Sequence, residues 1–203
     1  MGLVSDNKNR FVIGIDEAGR GPLAGPVAVG AVLIHKNFDI KLVAEIKNKD
    51  SKKLSHQKRE IWYKKMQVWK QEGILDFHVA LISNTIIDTK GISFAIKKGM
   101  AECLKKIKAA EIECEILLDG SLKAPKEFLL QKTIIKGDEK HYQISLASIA
   151  AKVLRDRKME QLSAQYPEYG FEIHKGYGTL EHRKTIKKYG PSKVHRKSFL
   201  KNI

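Results

Sequence analysis

The chain has 203 residues, 42% of them hydrophobic and 30% charged, with a formal net charge of +15. That length suits one domain with a sizeable core, and the composition is ordinary for a soluble globular protein. The longest charge-free stretch, residues 21–34, has 14 residues and holds two prolines and three glycines; a membrane-spanning helix needs ~20 apolar residues, so a transmembrane chain is excluded.

The opening MGLVSDNKNR has no apolar signal core and no small-residue cleavage site. Asp6 also stands where myristoylation needs Ser or Thr. FVIGID (11–16) reads as a short buried strand. PVAVGAVLI (26–34) is apolar on both faces, as in an interior strand. A helix is expected from Ser55 to near Gly73, with Ile61, Met66 and Trp69 facing the core. ILDFHVALI (74–82) is a third strand. Ile92, Ala95, Ile96, Cys103, Leu104 and Ile107 recur at helical spacing, so 91–109 reads as an amphipathic helix. EILLD (115–119) is a strand stopped by Gly120, and 133–135 is another. Lys136-Gly137-Asp138 reads as a turn. A long helix runs from about Gln143 to Gln165. A last one starts at Thr179 and stops at Gly190-Pro191. This order of elements argues for a mixed α/β sheet covered by helices, with no internal repeat and no interdomain linker.

Two cysteines, Cys103 and Cys114, lack metal-ligand spacing and read as buried reduced thiols in a cytoplasmic protein. The positive charge is concentrated. Residues 47–70 hold nine Lys/Arg against Asp50 and Glu60, and residues 171–203 hold nine against Glu172 and Glu181. Such concentration attracts a polyanion by counterion release, although a solvated lysine-rich surface has the same composition.

Three places carry chemistry. Asp16 and Glu17 close an apolar strand and meet the turn Gly19-Arg20-Gly21. Buried carboxylates are costly unless paired, hydrogen-bonded or metal-bound. Successive strand residues face opposite sides, so both can serve one site only where the strand ends or twists. Asp119 ends another apolar run. Ser145, Ser148, Lys152 and Asp156 fall on one face of the long helix, where Lys152 and Asp156 also form an ordinary i,i+4 pair. Dispersed oxygen donors of this kind suit a hard cation, Mg²⁺ or Mn²⁺, rather than zinc. Gly19–Ala24 formally matches a dinucleotide fingerprint, but prolines and a strand follow where a helix is required, which rejects that reading.

IDEAGRGPLAGPVAVGAV (15–32), DSKKLS (50–55), LLDG (117–120), SIAAKVLRDRKM (148–159), GFEIHKGYGTLEH (170–182) and HRKSF (195–199) together resemble the bacterial type 2 ribonuclease H family, ribonuclease HII, in order and over residues 11–200. The short stretch before the first strand favours type 2 over type 3. The resemblance implies an RNase H-like fold: a five-stranded mixed sheet flanked by helices, with a helical C-terminal extension. The catalytic domain would occupy 10–203, with about 175–203 as a small helical subdomain. It implies Asp16, Glu17, Asp119 and Asp156 as catalytic, metal-binding carboxylates for a two-metal Mg²⁺ or Mn²⁺ centre. It implies cleavage 5′ to ribonucleotides in RNA/DNA hybrids or embedded singly in duplex DNA, leaving 3′-hydroxyl and 5′-phosphate ends. Gly19, Arg20 and Gly21 would read the 2′-hydroxyl. Lys52, Lys53, Ser148, Lys152 and Lys175 would contact phosphates. Tyr177, between Gly176 and Gly178 that leave its backbone unobstructed, would pack on the neighbouring sugar. A monomer with no obligate protein partner is expected. The competing classes are another nuclease of the same fold and a non-catalytic nucleic-acid-binding module; acids beside a phosphate site argue against the latter, because they repel phosphate unless a metal intervenes.

Overall fold

The computed structural model describes residues 10–46 and 54–201. The strands are β1 (Phe11–Ala18), β2 (Val27–His35), β3 (Leu75–Ile82), β4 (Cys114–Asp119) and β5 (Gln131–Ile134). The helices are α1 (His56–Gln71), α2 (Asn84–Lys90), α3 (Ile92–Lys106), α4 (Gly137–Lys140), α5 (Tyr142–Gln165), α6 (Phe171–His174) and α7 (Leu180–Tyr189). One sheet contains all five strands in the order β3-β2-β1-β4-β5. β1 pairs antiparallel with β2, and β2 with β3, while β4 runs parallel to β1 and β5 parallel to β4. The mixed five-stranded sheet expected from the sequence is therefore present. Among the described residues no helix is long and apolar enough to cross a membrane.

β1 and β2 lie at the centre and are covered on both faces, which is why their sequences are nearly continuous apolar runs. Ile13, Ile15, Val29 and Ala31 pack with Ala95, Ile96, Met100 and Cys103 of α3. On the other face Val32 and Ile34 meet Trp62 and Met66 of α1 and Leu146, Ile149 and Val153 of α5. α5 sits unusually close to the sheet. A Cβ on Gly14 would fall 2.2 Å from the Gln143 carbonyl carbon, and one on Gly30 would fall 2.4 Å from the Ala147 oxygen. Only glycine at these two positions lets the helix backbone rest on the strands. A third apolar group joins Leu23 and Ala24, after β1, to Met159 and Leu162 of α5, to Phe171 of α6 and to Ile186 of α7.

Local signals explain the helix ends. Ser55 Oγ accepts from the Lys58 amide at 3.2 Å, and Thr179 Oγ1 from the His182 amide at 3.3 Å, both as N-caps. Gly190 ends α7 with φ +76°. Several local features differ from the sequence expectations. Ile61 is exposed, and the buried face of α1 is Trp62, Tyr63 and Met66, a shift of helical phase that aromatic bulk decides. Lys136-Gly137-Asp138 leads into the short helix α4 rather than forming a plain turn. α2 precedes α3 and was not anticipated; at seven residues it has too few turns to show a period. Gly91 and Ile107 bound α3 as its caps. Cys114 is only partly buried, although Cys103 is enclosed, its thiol pushed up to about 12 by burial.

Candidate active site

The site is built where β1 and β4 end. Their parallel register aligns Gly14 with Leu117 and Ile15 with Leu118. Asp16 and Asp119 are the next residues in step, so their backbones stand side by side where β4 ends, roughly one strand spacing (~4.8 Å) apart. Val12, Leu117 and Ile144 of α5 pack together, so the alternation puts Asp16 and Asp119 on the α5 face. β1 runs on through Ala18, which places the carboxylate pair inside the strand and Glu17 out of step with Asp16. Glu17 nevertheless lines a cavity of about 380 Å³ together with Ala18, Gly19, Arg20, Gly21, Arg59, Ser148, Lys152 and Tyr177.

Each carboxylate has defined neighbours. Asp16 is 1% exposed, and its Oδ1 accepts from the Glu17 amide at 2.7 Å. Asp119 Oδ1 accepts from the Gly137 amide at 2.7 Å, which is how the start of α4 is tied to the end of β4. Asp156 is 2% exposed; its Oδ1 takes the Lys152 ammonium at 2.7 Å, and its Oδ2 lies 4.0 Å from an Arg59 nitrogen. Burial lowers the Lys152 pKa, against the opposing pull of Asp156. Glu17 faces Arg20 at 3.4 Å, a contact too exposed to add much stability. Among the described residues, no three carboxylate, imidazole or thiolate groups form a ready cage for a metal. The donors are distributed: Asp16 inside β1 near its end, Asp119 at the end of β4, Glu17 on the cavity wall and Asp156 on α5 beyond Lys152.

The expected substrate contacts divide. Gly19, Arg20, Gly21, Ser148, Lys152 and Tyr177 share the one cavity. Lys175 does not line it; its ammonium is held by Glu160 at 2.7 Å and by the Glu172 carbonyl at 2.8 Å. Lys52 and Lys53 lie outside the described residues. Ser145, on the same stripe as Ser148, is enclosed, and its hydroxyl has no hydrogen-bond partner among the described residues. Tyr177 is 44% exposed, in a wall rather than a core. Its flanking glycines are not open space. A Cβ on Gly176 would fall 2.6 Å from the Ala24 oxygen, and one on Gly178 would fall 2.9 Å from Leu23, so they seat the Tyr177 loop against the segment after β1.

Three arginines escaped the sequence reading. Arg59 lines the cavity and donates to the Leu54 carbonyl. Arg155, beside Asp156 on α5 and fully buried, donates to the carbonyls of Pro26 (3.0 Å), Ala24 (3.4 Å) and Lys175 (3.0 Å). Its guanidinium carbon is 5.7 Å from the Tyr177 ring centre. Arg196, also fully buried, reaches the same loop from the C-terminal segment. In sequence all three look like members of basic runs, and nothing there marks them for burial.

Behind Tyr177 lies a histidine relay. The Ser192 amide donates to His195 Nδ1 at 2.9 Å, so the proton of His195 sits on Nε2, 3.0 Å from His182 Nε2. His182 then carries its proton on Nδ1 and donates to the Tyr177 carbonyl at 2.8 Å. The relay needs both rings neutral. Burial, the largest influence on each, lowers both pKa values to about 4. The unfolded chain therefore binds these protons near pH ~6.5, before the folded chain does. The stability involved is full above that pH and is lost as pH falls toward about 4. His174, His78 and His141 are shifted downward by burial too. The thermal midpoint is expected to fall steadily from about pH 7 to about pH 4.5, and less steeply once His182 and His195 are both glutamine. A wild-type midpoint that stays flat over this range contradicts a neutral buried pair.

A family model described as Ribonuclease HII matches residues 13–202. The chain is 46% identical to the ribonuclease HII of Caldicellulosiruptor saccharolyticus over 194 residues, which is 96% of this chain and 89% of that protein. Among solved structures it is similar to the RNase HII of Archaeoglobus fulgidus, determined as a complex with PCNA, with a TM-score of 0.73, 27% identity and coverage of 92% of this chain and 94% of that one. It is also similar to the ribonuclease H2 of Pyrococcus horikoshii, with a TM-score of 0.65, 27% identity and coverage of 95% and 100%.

Proposed function

The chain belongs to the ribonuclease HII family of ribonuclease H endonucleases, and we propose that it uses divalent metal ions to cut a DNA strand on the 5′ side of ribonucleotides, in RNA/DNA hybrids and at single ribonucleotides in duplex DNA. The observation that carries the reading is the parallel register of β1 and β4, whose last pair, Ile15 with Leu118, puts Asp16 and Asp119 next in step, together with a cavity that Glu17, the Gly19–Gly21 turn and Lys152, the partner of Asp156, line in common.

The donor set fits a hard cation. Asp16, Glu17, Asp119 and Asp156 offer only oxygen, and Mg²⁺ is commonly held by one or two carboxylates with water and substrate phosphate completing its shell. Bound there, divalent cations would supply an activated water and neutralise charge on the leaving 3′-oxygen.

The chain's own residues do the rest. The Gly19–Gly21 backbone approaches the ribose closely, because glycine carries no Cβ. Lys152 and Arg59 present positive charge in the same cavity and draw the scissile strand toward the carboxylates. Tyr177 offers an exposed ring to the adjoining sugar. The products would be 3′-hydroxyl and 5′-phosphate ends, and the role removal of ribonucleotides from DNA.

Metal removal tests this directly. Cleavage of a single-ribonucleotide duplex is expected to stop in excess chelator and to return when Mg²⁺ or Mn²⁺ is supplied in excess. Full activity in chelator overturns the proposal.

A further inference from the structure

We infer that Arg196 is the positioning residue of the Gly19–Gly21 loop, turning its peptide amides into the cavity where a ribose would be read. The inference rests on the function proposed above and assigns its specificity to a residue outside the cavity wall.

Arg196 sits 0% exposed in the segment after α7. Its guanidinium donates to four carbonyls of one loop: Gly19 at 2.7 Å, Arg20 at 3.0 Å, Gly25 at 2.9 Å and Pro26 at 3.0 Å. Its own amide donates to the Leu23 carbonyl at 2.7 Å. The whole turn between β1 and β2 is thus gathered on one cation.

The direction of these bonds matters. In a planar trans peptide the carbonyl of one residue and the N–H of the next point opposite ways. With the Gly19 and Arg20 carbonyls drawn to Arg196, the amides of Arg20 and Gly21 face away from it, toward the side on which Gly19, Arg20 and Gly21 line the cavity. Neither amide has an acceptor among the described residues. Two successive outward N–H groups form a concave nest for oxygen. Gly19 permits the arrangement: its φ is +87°, and a Cβ there would fall 1.8 Å from Arg155 Nε.

The anchor is itself held. Asp88 of α2 accepts from the amides of Lys197 and Ser198 at 3.0 and 2.9 Å. Asn84 donates to the carbonyls of Lys193 and His195 at 3.0 and 3.1 Å. Burial lowers the Arg196 pKa to about 9, so the side chain stays protonated at neutral pH and keeps its full set of donors. Lysine offers no planar fork and cannot span carbonyls on both sides.

The experiment uses the full chain with Asp119→Asn, so that substrate stays intact with Mg²⁺ present. Two duplexes differing by one 2′-hydroxyl are titrated, and thermal midpoints are recorded. The Asp119→Asn chain is expected to bind the ribonucleotide duplex at least about tenfold more tightly than its all-DNA twin. Adding Arg196→Lys should bring that ratio to within about twofold while all-DNA affinity and its salt dependence hold. Arg196→Ala should lose the ratio as well, and methylguanidinium should restore part of it. A ratio that survives both substitutions overturns the inference. So does an equal loss of affinity for both duplexes, which marks a clamp that only holds the fold. An Asp119→Asn chain that binds both duplexes alike overturns the inference too, since no 2′-hydroxyl reading is then left for Arg196 to set, whereas the proposed function fails only if cleavage survives in chelator.

Discussion

Asp16→Asn is expected to leave a folded chain whose cleavage of a single-ribonucleotide duplex falls at least about a hundredfold, the scale seen when one preorganised electrostatic contact is removed from a transition state. Asparagine keeps the shape, and its Oδ1 can still accept from the Glu17 amide as Asp16 does at 2.7 Å. What is lost is one negative charge. Asp16 and Asp119 are adjacent across β1 and β4, and two like charges so close repel unless a cation lies between them. Removing one charge relieves that repulsion, so the chain should stay folded, which its melt records. Asp119→Asn should behave alike, since its Oδ1 can still accept from Gly137. Asp156→Asn should differ. It abolishes cleavage too, but it takes the partner from Lys152, which lies 2.7 Å away and is largely buried, so its melting point should drop. Glu17→Gln should lose cleavage while the chain stays folded, since the charge it gives up lines the cavity rather than the core. Circular dichroism melts and cleavage at saturating metal check all four. Near-wild-type turnover in any folded variant removes that carboxylate from the site.

Tyr177→Ala should lose about tenfold or more on a single embedded ribonucleotide, whereas Tyr177→Phe should keep most of its activity. The ring is 44% exposed on the cavity wall, so its work is done against substrate rather than in a core. Its backbone is fixed from three sides: its amide donates to the His174 carbonyl, and its carbonyl accepts from Thr179 and His182. Truncating the side chain leaves these bonds in place, and the fold should survive. A ring packed on deoxyribose would meet an extra hydroxyl if the next sugar were ribose, so DNA on the 3′ side should be preferred, and alanine should weaken that preference. Aromatic stacking on a nucleic-acid base is worth ~1–3 kcal/mol, and a ring packed on the adjoining sugar at the lower end of that scale gives the expected tenfold. A Tyr177→Ala chain that melts earlier yet cuts the junction with wild-type rate and preference would make the tyrosine structural.

The sheet was legible because its inner strands are apolar on both faces and their ends carry acids that an apolar run does not need. Asp16 and Asp119 stood out for that reason. Their adjacency did not, because parallel pairing of β1 with β4 joins residues about a hundred positions apart, and only the family resemblance grouped them in one centre. Ile61 was misplaced because apolar spacing alone cannot choose between two faces of a lysine-rich helix when Trp62 and Tyr63 stand next to it. Gly176 and Gly178 are plain in the sequence, but the close packing on Ala24 and Leu23 that they permit is not. Arg155 and Arg196 were hidden altogether. A buried arginine looks like a surface one until its acceptors are known, and those of Arg196 are 170 to 177 residues away.

The most direct measurement is cleavage, with Mg²⁺ or Mn²⁺, of three end-labelled duplexes of one sequence: all-DNA, RNA/DNA hybrid, and DNA carrying one ribonucleotide. The expected result is a single cut on the 5′ side of the lone ribonucleotide, cutting of the hybrid, and an intact all-DNA duplex. Equal cutting of all three, or a cut in the all-DNA duplex alone, would contradict it.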